Sequence, residues 1–105
     1  APLEEIQLPD GRAFTWYAAS AVETLPEGIE LLLVDGPPRR TGQMARYPAI
    51  PVLKKRLAPK CIIFVDDARR SDESRAIREW TEQEEGFESV VIGTSDGLGR
   101  LERSL

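Results

Sequence analysis

The sequence predicts a three-layer α/β fold: a partly parallel sheet that finishes in an antiparallel hairpin at the C-terminal end. Three observations carry the prediction. Two apolar runs, "IELLLVD" at 29–35 and "CIIFVDD" at 61–67, each stop at aspartate, and apolar runs of this length, Glu30 set aside, suit strands buried on both faces. A helix-patterned segment follows each run, and strand–helix–strand units build parallel sheets with right-handed crossovers. The last stretch, "FESVVIGTSDGLGRLERSL", reads as strand, glycine-rich turn, strand.

The elements follow in order. Ile6 to Leu8 and Ala13 to Tyr17 flank Pro9-Asp10-Gly11, a hairpin signal. Trp16 and Tyr17 read as packing residues. Ser20-x-x-Glu23 has the form of a capping box, and Pro26 and Gly28 keep the helix it opens short. The first buried strand is followed by "PPRRTGQMAR", a loop by composition. "YPAIPVLKKRLAPK" is predicted helical, with Ile50, Leu53 and Leu57 on one stripe and Pro59 at its end. After the second buried strand, "SDESRAIREWTEQEEG" is the clearest helix. Ser71 or Asp72 would cap it, Ile77 and Trp80 share a face, and Gly86 closes it. The order of elements is that of a Rossmann-like domain occupying residues 1–105.

Composition narrows the chemistry. The 105 residues suffice for one core, and a net charge of −4 does not favour nucleic acid or a membrane surface. Residues 36–65 nevertheless hold seven Lys/Arg and no acid. This block reads as a loop and a solvated helix face, with an anion-attracting rim as the sharper alternative. No apolar run is long enough to span a membrane and no secretory leader pattern opens the chain. Cys61, alone, reads as a small core residue in a reducing, cytoplasmic setting. Histidine is absent, which removes histidine-based nucleophile machinery and His-ligated zinc.

Carboxylates are therefore the candidate chemistry. Ligands of open α/β sheets bind at the carboxyl ends of the strands, and neighbouring strands lie ~5 Å apart. Asp35 ends one buried strand and Asp66 and Asp67 end the other. Taken singly, an aspartate there is a routine turn former or N-cap. The paired occurrence points to one shared rim. Three converging carboxylates need a cation between them, either Mg²⁺ or an arginine such as Arg39, Arg46 or Arg69.

"IELLLVDGPP", "LKKRLAPKCIIFVDDA" and "FESVVIGTSDGLGRLE", in this order, resemble the C-terminal half of a class I S-adenosylmethionine-dependent methyltransferase, from about residue 29 to 105. Lys60 stands where that family usually has glycine. The resemblance implies S-adenosylmethionine as methyl donor, a small-molecule acceptor, and Asp35 and Asp66 as catalytic positions. The metal-dependent catechol-type members further imply Mg²⁺ on Asp35, Asp66 and Asp67, with Asp67 in a place usually taken by asparagine. Arg39, Arg46 and Arg69 are the candidate substrate-binding cations. The family's glycine-rich turn after its first strand and its acidic residue ending the second have no counterpart here. The chain is thus expected to be a fragment or truncated homologue lacking the cofactor-binding half. The edge of strand 29–35 would be covered by the N-terminal hairpin or by a second copy, giving a homodimer. Two other readings stand beside this one: a Mg²⁺-dependent phosphate-handling protein and a non-catalytic dimerisation or binding module.

Overall fold

The computed structural model describes residues 3–35, 37, 44–93 and 97–104. The order is β1 (Leu3–Gln7), β2 (Ala13–Tyr17), α1 (Ala19–Val22), β3 (Ile29–Val34), α2 (Ala49–Leu53), a 3₁₀ turn (Lys54–Arg56), β4 (Leu57–Asp66), α3 (Ser71–Gln83), β5 (Phe87–Ile92) and β6 (Leu98–Ser104). The α/β, Rossmann-like class expected from the sequence is the one observed. The main sheet has four strands in the order β3-β4-β6-β5. β3 and β4 are parallel, and β6 runs antiparallel between β4 and β5. The C-terminal hairpin is at the sheet edge as expected, with its second strand on the inner side. Among the described residues, β3 is the other edge.

One face of the sheet is packed. Cys61, Ile63 and Val65 of β4 and Leu101 of β6 share a core with Ile50 of α2 and Ala76, Ile77 and Trp80 of α3. The indole N–H of Trp80 donates to the Tyr47 carbonyl at 2.9 Å, so this fully buried ring leaves no orphan donor. The opposite face is largely open among the described residues, with Ile62 and Phe64 of β4 half-buried. Leu31 and Leu33 are 64% and 65% exposed, and Val90 and Ile92 of β5 are exposed with them. In register, Leu33 lies beside Phe64, then Arg100, then Val90. The sequence expectation of a strand covered on both faces is therefore met on one face only among the described residues.

The β1–β2 hairpin forms its own two-stranded sheet. It does not pair with β3, the first of the two coverings expected for that edge. Leu8 and Trp16 instead enter the main core. Phe14 stacks on Tyr47 with ring centroids 5.6 Å apart, and Arg12 lies 4.3 Å above the Tyr47 ring while pairing with Glu79 of α3 at 3.1 Å. Cation–π and ion-pair contacts thus hold the hairpin to the helical side.

Three local expectations change. The Ser20 capping box does not form. Ala18 is the N-cap without a side-chain bond, and the Ala19 N–H is taken by Glu4 Oε1 of β1 at 2.9 Å. The helix after Pro48 is one turn and a 3₁₀ turn, not a full stripe, and Leu57 opens β4. Pro59 lies within that strand, where the β3–β4 register slips between Ile29↔Leu57 and Leu31↔Ile62, and a bulge accommodates its missing N–H. Arg103 donates to the carbonyls of Leu57, Ala58 and Pro59 at 3.2, 2.6 and 3.3 Å, replacing ladder partners lost to the bulge. Finally, α3 is capped by Arg70 without a side-chain bond. Asp72 is committed elsewhere.

Candidate functional site

The site assembles at the carboxyl ends of β3 and β4. Both strands deliver their last carbonyls to one guanidinium: Arg46 donates through Nη1 to the Asp66 carbonyl at 3.1 Å and through Nη2 to the Asp35 carbonyl at 3.2 Å. The same group lies 3.8 Å from Asp35 Oδ1, 3.5 Å from Asp67 Oδ2 and 3.7 Å from Glu73 Oε1. Arg46 is 7% exposed and Glu73 4%. A buried charge persists only when paired and hydrogen-bonded, so this cluster is held by its own complementarity. Arg70 adds a second cation, 2.8 Å from Asp67 Oδ2 and 3.2 Å from Glu73 Oε1.

The backbone around this cluster is unusual. Among the described residues, Met44 and Asp67 are the non-glycine positions with positive φ, at 53° and 57°. That conformation costs an L-residue energy and persists where the surroundings enforce it. At Met44 the enforcing partner is Asp72, whose Oδ2 accepts the Met44 N–H at 3.0 Å. At Asp67 the N–H turns back to Asp66 Oδ1 at 2.9 Å, and the Asp67 carbonyl accepts the Arg70 N–H at 3.0 Å. Three buried polar atoms in the cluster, Arg46 Nε, Arg70 Nε and Glu73 Oε2, have no hydrogen-bond partner among the described residues. Strain and orphaned polar atoms concentrated at a strand-end rim mark it as the candidate site.

The structure brings Asp35, Asp67 and Arg46 together, and Asp66 joins through its carbonyl. Arg69 points the other way: its Nη2 donates to the Gly93 carbonyl at 3.1 Å, beneath the β5–β6 turn. Arg39 lies outside the described residues. Sequence reasoning missed Glu73 and Arg70. Their signal was the spacing Asp67-x-x-Arg70-x-x-Glu73, which stacks three charges on one side of the turn into α3.

The carboxylates do not form a metal cage. Among the described residues no group of three or more His, Cys, Asp or Glu is arranged to hold an ion. Mg²⁺ demands near-octahedral oxygen donors, whereas the Asp66 carboxylate serves its neighbour's amide, and the Asp67 and Glu73 oxygens nearest Arg46 also face Arg70. Among the described residues, the glycines with positive φ sit in the β1–β2 turn, before β3, after α3 and in the β5–β6 turn, and none of these joins a strand to a helix as a nucleotide-type loop does.

Beside the rim, a cavity of about 600 Å³ opens along the β3 edge. Trp16, Tyr17, Leu25, Leu32 and Leu53 make its apolar wall, and Asp35 contributes a carboxylate. Asp35 thus belongs both to the cavity and to the Arg46 cluster. Elsewhere, no helix among the described residues is long and apolar enough to cross a membrane.

An α/β sheet in the order β3-β4-β6-β5, with β3 and β4 parallel and β5 and β6 an antiparallel hairpin, is a methyltransferase-like fold. Comparison with solved structures agrees: the chain is similar to a methyltransferase from Geobacter sulfurreducens, with a TM-score of 0.52 over 82% of this chain and 13% identical residues. At that identity the likeness is one of fold. This chain spans 40% of the length of that structure. No protein-family model matches the sequence, and no curated protein does.

Proposed function

We propose that this chain is the substrate-side half of an S-adenosylmethionine-dependent methyltransferase, active only when a cofactor-binding half completes it. The observation that supports this best is β3. Its sequence is that of a central strand, yet it is an edge among the described residues, with Leu31 and Leu33 bare on one face. It borders an open apolar cavity and ends in Asp35. A strand of this kind joins another sheet element; left open it is an association hazard. In the complete enzyme the added half would close the cavity and supply the methyl donor. Asp35 would face a small-molecule acceptor. In its absence, two copies would pair along the same edge as a homodimer.

Calorimetric titration of the chain with S-adenosylmethionine is expected to show no tight binding; a submicromolar affinity would overturn the half-site reading. Light scattering at micromolar concentration is expected to give the mass of two chains, falling to one in a Leu31→Ser/Leu33→Ser variant. A wild-type mass of one chain would remove the association along β3.

A further inference from the structure

Resemblance to the metal-dependent catechol-type members calls for a divalent cation between the strand-end aspartates, and the side chains present supply another cation. We infer that Arg46 takes the place of the metal: its guanidinium is the permanent cation of this rim, and substrate handling here is metal-independent. The inference rests on the reading of the rim as the substrate side of the fold.

Position comes first. The two Nη atoms bridge the terminal carbonyls of β3 and β4, so the charge sits between the strands whose carboxylates a metal would gather. Coordination comes second. One planar group with a fork of N–H donors reaches toward Asp35, Asp67 and Glu73 at 3.5 to 3.8 Å while hydrogen-bonding both carbonyls. A small octahedral ion would need carboxylate oxygens turned to one point, and the Asp66 carboxylate is turned onto the Asp67 amide instead. Permanence comes third. Arg46 and Glu73 are both buried, and Arg46 reaches the cluster from a turn whose entry, Met44, is pinned by Asp72. The guanidinium is therefore built in and is not a surface arginine that an incoming ion displaces.

The substrate class follows from the same geometry. A metal-dependent rim holds an acceptor by chelating its oxygens. Among the described residues lining the cavity, the charged group left to meet a substrate is the Asp35 carboxylate, 65% exposed. It accepts hydrogen bonds and repels anions. The fitting acceptor is an apolar molecule with a hydroxyl or amine that donates to Asp35, in preference to a chelating diol or a phosphate.

The test is metal binding, which needs no methyl donor and is independent of methyl transfer. Titration of the full chain with Mn²⁺, followed by the electron paramagnetic resonance of the free ion, is expected to show no stoichiometric site. Stoichiometric binding abolished by Asp35→Asn or Asp67→Asn would overturn the inference. In Arg46→Ala the carboxylates keep only Arg70, so its thermal midpoint is expected below that of wild type, and neither midpoint is expected to move with Mg²⁺. A rise of the wild-type midpoint with Mg²⁺ would also overturn it. If Arg46→Ala does not fold, the wild-type titration and its Asn variants decide alone.

Discussion

Gly99 sits under the candidate rim, and a single methyl group there tests how the core supports it. It pairs with Val65, one residue before Asp66. A Cβ built on it would lie 2.7 Å from Ile77 Cδ1, 3.1 Å from Ala68 Cβ and 3.6 Å from Val65 Cβ. Carbon atoms prefer about 3.5–4.0 Å. Gly99→Ala must therefore push the Ile77 terminus by roughly 1 Å and Ala68 by about half that. Ala68 follows Asp67, so the push reaches the strand-end turn. Overpacking of this kind costs about 1–3 kcal/mol. At about 4 °C per kcal/mol for a domain of this size, the thermal midpoint should fall by roughly 4–12 °C. Circular dichroism melts and urea unfolding would measure it, with an unchanged m-value expected. Ile77→Val removes the closest atom. Alone it should cost about 0.5–1.5 kcal/mol, and combined with Gly99→Ala it should recover about 1 kcal/mol relative to additivity. Strictly additive effects, or a Gly99→Ala cost below about 0.5 kcal/mol, would refute this picture of α3 seated on β6.

Two further outcomes are expected. Arg103→Met removes three bonds to the carbonyls of the β4 bulge and should cost about 1–2 kcal/mol, with faster amide exchange at Ile29 and Cys61 than in the centre of β4; exchange unchanged from wild type would mean the bulge holds itself. Burial pushes the Cys61 thiol pKa up, against a smaller opposing effect of Arg103. Cys61 should therefore react with a thiol reagent only as the chain unfolds. The stability this thiol contributes is fully present below its ordinary ionisation range and is lost as pH rises through its raised value; rapid native-state labelling at neutral pH would contradict this.

Much of the fold was legible because it is written in local pattern. The apolar runs at 29–34 and 61–65, the amphipathic 71–83 segment, and the glycines of the β1–β2 and β5–β6 turns each encode their element within a few residues. The strand-end carboxylates were legible for the same reason: a charge that stops an apolar run must sit at the rim. Local pattern misled where a distant group took over a local role. Glu4 displaced the Ser20 cap, Asp72 went to Met44 in place of capping α3, and Arg103 allowed β4 to run through Pro59.

The sequence by itself determined the α/β class, the parallel pair of strands and the aspartates at their ends, since periodicity and chain-breaking residues act over one element at a time. Only the tertiary structure decided which cation those aspartates face. Arg46, Arg70 and Glu73 come from a turn, a helix entry and a helix first turn. Their convergence is a property of how α2 and α3 pack on the sheet, and burial is what turns that convergence from a surface coincidence into a fixed charge. Among the described residues the same packing leaves one face of β3 open, a feature no reading of "IELLLV" distinguishes from a covered strand, because the pattern records what the residues prefer and the fold records what packs against them.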